Sequence, residues 1–285
     1  MPCAKAPLAV RGMALIAVLW LVAAMSLVLT GVVRSVRADV RALSVQRQAV
    51  LAGAAADAAI VLALQQLRAS GDELPKAIRT LDISAEPYAC AVIITPLNGW
   101  VDINQATPEL LEALYAHVGG VPAAQAKELA QATVDARQRK DPRGQAVGFD
   151  FGTDLLAVPG IDYGLYARVA PFVTANLRHG NGRVNPLAAP AGLLPVLTGG
   201  DAGHLADFLA RRSTDPAAAD ASFFNPQFIE MAASNSLQFQ CARDAGSDAQ
   251  LVATWDVHWS PDPRSGLPWR VVDVRHQTRL RASAP

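Results

Sequence analysis

The sequence predicts an α+β fold: a long N-terminal helix laid on an antiparallel β-sheet, with a large all-α segment inserted into the sheet. Three observations predict it. An unbroken apolar run over residues 13–33 continues without proline into a helical stripe. Strand-like patterns occupy residues 81–95 and the chain from Leu237 onward. Between them, from Gly99 to about Ala233, the spacing is helical and broken by proline and glycine loops.

The apolar run comes first. At ~1.5 Å per residue its roughly 21 residues reach ~31 Å, enough to cross a hydrocarbon core of ~30 Å. It is longer than a signal-peptide core and runs straight into Arg34, Arg37 and Arg41, so it reads as a retained anchor rather than a cleaved signal. Lys5 and Arg11 precede it, and with positive charge on both sides the positive-inside rule leaves its orientation open. Beyond it Val36, Val40, Leu43, Val50, Ala54, Ala58 and Val61 recur at helical steps, interrupted by Arg47. A single helix from about Met13 to about Ala69 follows, capped by Ser70 and Gly71. Its second half is expected to lay that apolar stripe on a folded domain.

The leader context Arg11-Gly12-Met13, followed by an apolar half-helix fused to an amphipathic one, resembles the N-terminus of type IV pilins and pseudopilins. More narrowly, residues 11–20 resemble the start of the type II secretion system protein K family, the minor pseudopilins also called general secretion pathway protein K. The resemblance implies a pilin-like fold and prepilin peptidase cleavage between Gly12 and Met13, with methylation of the new amino terminus. It also implies a single pass through the bacterial inner membrane with the C-terminal part in the periplasm. Most pilins carry glutamate at the fifth mature position, which here is Ala17. A carboxylate at membrane depth costs roughly 2.5–3.5 kcal/mol on insertion scales unless it finds a partner. A subunit at the filament tip has no neighbour ahead of it to neutralise, so the absence of an acid at Ala17 fits a tip subunit.

The domain reading assigns residues 1–12 to the leader, 13–33 to the transmembrane half-helix and 34–69 to the amphipathic half. Residues 70–97 with 236–281 form the pilin-like α/β domain, and 98–235 the inserted helical one. Residues 250–259 and 269–277 are the clearest late strands, and residues 260–266 read as the loop between them. Of three cysteines, Cys3 falls in the leader, leaving Cys90 and Cys241 either as a disulfide in an oxidising compartment or as two buried thiols. Net charge is zero, which gives no long-range pull toward nucleic acid or anionic lipid.

Inside the insertion a degenerate repeat aligns residues 99–111 with 182–194 through Gly-x-Val, then Asp102 or Asn185, an alanine and paired leucines. Each copy reads as a capped helix start. The same region, residues 101–111, and separately residues 155–161, resemble helix-hairpin-helix modules, which bind nucleic acid in DNA-uptake proteins. That alternative, a membrane-anchored DNA-uptake protein, needs basic contacts. Residues 98–230 hold ten Lys and Arg against fourteen Asp and Glu, and Asp162 follows the second hairpin, so nucleic acid is not an expected partner. The five histidines keep no metal-ligand spacing and no nucleophile elbow appears, so no enzyme is expected. Asp150, Asp154 and Asp162 are weak calcium-ligand candidates, since an EF-hand spacing is absent. As partners the resemblance implies the minor pseudopilins I and J and the prepilin peptidase, with pseudopilin H and the major pseudopilin G as further candidates. The expected role is to cap the pseudopilus and help start its assembly for protein export across the outer membrane.

Overall fold

The computed structural model describes residues 10–71, 73–140, 142–175, 180–198, 203–246, 249–261 and 266–280, with backbone only for residues 10–14. Residues 1–9 of the expected leader, including Cys3, lie outside the described residues, as do His179 and residues 262–265 of the late loop.

The chain is α+β. Helix α1 (Val10–Ser70) is continuous, as the lack of proline between Pro7 and Pro75 allows. It ends where Gly71 takes φ +63°, the Ser70 hydroxyl donates to the Leu67 carbonyl, and the Gly71 N–H donates to that of Arg68. The buried face of α1 is not the valine stripe. Val36, Val40, Leu43 and Val50 are exposed, whereas Ala52, Ala56, Ala59, Ile60, Ala63, Leu64 and Leu67 are buried. The two sets are two residues out of phase, about 200° around a helix, so they lie on opposite sides. Small alanines let the backbone of α1 approach the sheet, and packing starts only at about Ala49.

Strands β1 (Arg79–Ile83) and β2 (Cys90–Pro96) open the sheet. The sequence shows one strand-like stretch here; the structure divides it at a turn around Pro87, where the Tyr88 N–H donates to the Ala85 carbonyl. Next come β3 (Val101–Asp102), α2 (Pro108–His117), α3 (Ala123–Arg137), α4 (Tyr163–Val169) and β4 (Val173–Thr174). The series continues with α5 (Leu194–Leu197), α6 (Leu205–Thr214), β5 (Ser236–Asp244), β6 (Ala249–His258) and β7 (Arg270–Leu280). The main sheet has the order β1-β2-β5-β6-β7 and is antiparallel throughout. Alternate residues Val92, Ile94, Leu237, Phe239, Cys241, Ala253 and Val257 turn toward α1 and form one buried cluster with it. Each large apolar side chain buried this way contributes about 1.5–3 kcal/mol.

The residues between β2 and β5 close around a second buried cluster, centred on Leu110, Leu111, Leu114, Tyr115, Leu155, Leu193 and Leu194. This stretch is not all-helical as expected. β3 and β4 pair in parallel, and Val184 bridges Ile229 in the same sense.

Candidate functional site

The membrane-facing candidate is the first half of α1. From Leu15 to Gln48 every side chain is exposed, including Leu19, Trp20, Leu27 and Leu29 at 68–75%. Ser26 and Thr30 donate their hydroxyls to the carbonyls of Val22 and Ser26, so neither leaves a polar group unpaired at membrane depth. Helix α1 is long and apolar enough to cross a membrane. Gly12 and Met13 are helical in backbone, and Ala17 is exposed on the same helix.

The internal repeat is visible atom by atom. Asp102 Oδ1 accepts the Asn104 N–H at 2.9 Å; at the matching place, Asn185 Oδ1 accepts the Leu187 N–H at 3.0 Å. The Ala106 N–H donates to the Asp102 carbonyl, and the Ala189 N–H to that of Asn185. In the first copy Arg137 Nη1 donates to the carbonyls of Ile103 and Ala106, at 3.1 and 2.8 Å. In the second, Arg212 Nη1 donates to those of Pro186 and Ala189, at 2.8 and 2.6 Å. One guanidinium thus closes each turn by pairing two buried carbonyls, and burial lowers the pKa of both arginines.

The copies differ in charge. Asn185 Nδ2 also donates to the Lys76 carbonyl at 2.6 Å. Asp102 is 3% exposed and its Oδ2 has no partner; burial raises its pKa to about 6, against the opposing pull of the Asn104 N–H and Arg137. They differ in capping too. The Thr107 hydroxyl caps α2 by accepting the Leu110 N–H, whereas Pro190 opens the corresponding helical turn without a side-chain cap.

The helix-hairpin-helix reading needs relocation. Residues 101–111 form the capped turn just described. The hairpin itself is Val118-Gly119-Gly120-Val121 between α2 and α3, and its counterpart is Val158-Pro159-Gly160-Ile161 before α4. The two hairpins are docked on each other's helices. A Cβ on Gly119 would stand 2.6 Å from Leu165 Cδ1 and one on Gly160 2.8 Å from Leu129 Cδ2, while Arg168 donates to the Gly119 carbonyl at 2.8 Å. Gly160 also needs its glycine for φ +89°. The matching Val-x-Gly-Val/Ile pattern is the sequence signal that locates both. Asp162 Oδ1 accepts the Leu165 N–H at 2.7 Å, so a carboxylate occupies the place where a phosphate would meet the N-terminus of α4.

The calcium candidates do not converge. Asp154 accepts the N–H groups of Asp150 and Phe151 at 2.8 and 2.9 Å, and Asp162 caps α4. Among the described residues no group of three or more His, Cys, Asp or Glu side chains is placed to hold a metal ion. Cys90 and Cys241 are joined across the neighbouring strands β2 and β5, with Cα atoms 6.3 Å apart. Among the described residues, His258 and His276 serve pairing. His258 and Ser236 share a hydrogen bond of 3.1 Å between β6 and β5, and His276 meets the Asp57 carboxylate of α1 at 3.0 Å. Two clefts flank the late strands. One lies between α1 and the β6–β7 pair; the other, lined by Trp100, Phe151 and Tyr166 opposite Asp256 and Arg275, opens on the far face.

In sequence comparisons, no family model matches the chain and no curated protein is significantly similar to it.

Proposed function

We propose that the chain is a minor pseudopilin of the type II secretion system, of the protein K type, and that it caps the pseudopilus tip. The observation that carries the reading is α1: one helix whose first half is apolar and exposed and whose second half packs on an antiparallel sheet. An exposed apolar half-helix needs lipid or partner helices, and small residues such as Ala17, Ala23, Ala24 and Gly31 permit close approach of either. Residues 98–235 are read as a bulky inserted domain that would obstruct a further subunit stacked above, consistent with one copy at the filament end. In this reading the folded part lies in the periplasm, prepilin peptidase cleaves after Gly12, and pseudopilins I and J are the neighbours.

The mature N-terminal sequence, determined from cells with and without active prepilin peptidase, tests this. A start at Met13 that needs the peptidase and is lost in Gly12→Val is the expected result. A chain uncut in both strains would remove the pseudopilin reading.

The paired hairpins at Gly119–Gly120 and Gly160 favour a second reading, DNA uptake. Binding to double-stranded DNA that weakens steeply with salt would support it. The acidic excess and the Asp162 cap argue against it.

A further inference from the structure

The sheet ends unevenly. At one edge β1 is short, five residues; at the other β7 runs for eleven, the longest strand, and among the described residues it pairs on one side only. Long edges offer a row of backbone donors and acceptors to an extended chain, and in β7 one bulge, at Val272, interrupts that row. β7 has no proline or glycine and exposes Val271, Val272, Val274 and Leu280 at 39–85%.

The two faces of this edge differ. Paired residues on neighbouring strands share a face. Val271 pairs with Val257, Val274 with Trp255 and His276 with Ala253, which places them on the side of α1. There a groove of about 700 Å³ opens between the end of α1 and the hairpin, lined by Val61, Arg68, Trp255, Leu267, Trp269 and Val271. Arg270, Asp273, Arg275 and Arg279 pair with His258, Asp256, Thr254 and Gln250 and lie on the opposite side. A strand added to β7 therefore meets a mainly apolar surface with one row of side chains. With the other it meets Arg270 and Arg279, while Arg275 between them is paired with the buried Asp256 at 2.7 Å and with the half-buried Asp273 at 3.2 Å.

We propose that the outer edge of β7 is a docking site for an extended segment of another polypeptide whose residues alternate apolar and acidic, bound as a sixth strand of the sheet. Backbone pairing supplies the register, the groove beside Trp255 and Trp269 takes the apolar row, and Arg270 and Arg279 face the acidic row. A second copy of this chain fits less well, because β7 against β7 brings Arg270 and Arg279 of one molecule toward those of the other.

The test uses the full chain in detergent micelles and three short capped peptides: alternating valine and glutamate, alternating valine and lysine, and a block of valines followed by a block of glutamates. The expected result is about tenfold slower amide exchange in β7 with the first peptide only. The double variant Arg270→Glu with Arg279→Glu should keep its fold and transfer the response to the lysine peptide. Equal responses to all three peptides, or none in β7, would overturn the proposal. So would β7 protection that rises with protein concentration without peptide, which would make the occupant a second copy.

Discussion

The turn at Asp102 and the turn at Asn185 share their backbone hydrogen bonds and an arginine clamp, yet one holds an ionisable carboxyl where the other holds an amide. The amide satisfies both of its ends, through Leu187 and Lys76; the carboxyl leaves one oxygen bare. The difference teaches that the architecture of the turn comes from the clamp and the backbone. The charge at Asp102 is an added cost, partly offset by Arg137 nearby.

The largest expected effect comes from unclamping. Arg212→Met strips two buried carbonyls of charged donors and should cost about 4 kcal/mol in denaturant unfolding. Arg137→Met removes the same two bonds and also the cation near Asp102, so it should cost about 1 kcal/mol more at pH 7. That gap should close in the Asp102→Asn background. A smaller loss at Arg137 than at Arg212 would break the comparison.

Replacing both Cys90 and Cys241 by alanine should cost about 3 kcal/mol under oxidising conditions. Both turns lie within the loop that this bridge closes, so a thermal melt should show the same shift with Arg137 or Arg212 intact or removed.

The charge itself is tested by pH. Asp102 binds its proton more tightly folded, at about 6, than unfolded, near 3.8. Its contribution to stability therefore falls as pH rises through this window and is level above it. Asp102→Asn should match the parent below the window and gain about 3 kcal/mol above it, read as the difference between two pH–stability curves. A constant difference at all pH values would reassign the cost to shape rather than charge.

The smallest effect concerns the caps. Thr107→Ala should cost about 1 kcal/mol, since α2 loses its N-cap acceptor. Pro190→Ala, at the uncapped counterpart, should change stability by less.

How far these features can be read in the sequence depends on how local they are. The length of α1 is legible because no proline interrupts it and Ser70 and Gly71 mark its end. Its packed face is not, because alanines give little hydropathy contrast and the valine stripe on the other side is stronger. β6 and β7 show themselves by alternation; β1 and β2 merge until Pro87 is given its weight. The repeat is legible through glycine, valine and the Asp102/Asn185 position. Arg137 and Arg212 are not, because they do not keep the spacing of the repeat and are brought to the turns by tertiary packing. Asp154 and Asp162 show why acidic loops mislead: both carboxylates answer backbone N–H groups that a loop or helix start leaves free.

The Cys90–Cys241 bridge also sets how the molecule carries load. Tension entering through α1 and leaving through β7 follows the covalent shortcut from β2 to β5, and the 151-residue separation between the cysteines drops out of the load path. Under pull the α1-and-sheet half bears the force, while the two clamped turns and the hairpins hang from it unstressed. Reduction of that one bond would leave the shortcut to the β2–β5 hydrogen bonds, and once those part the turns and hairpins come into series with the rest.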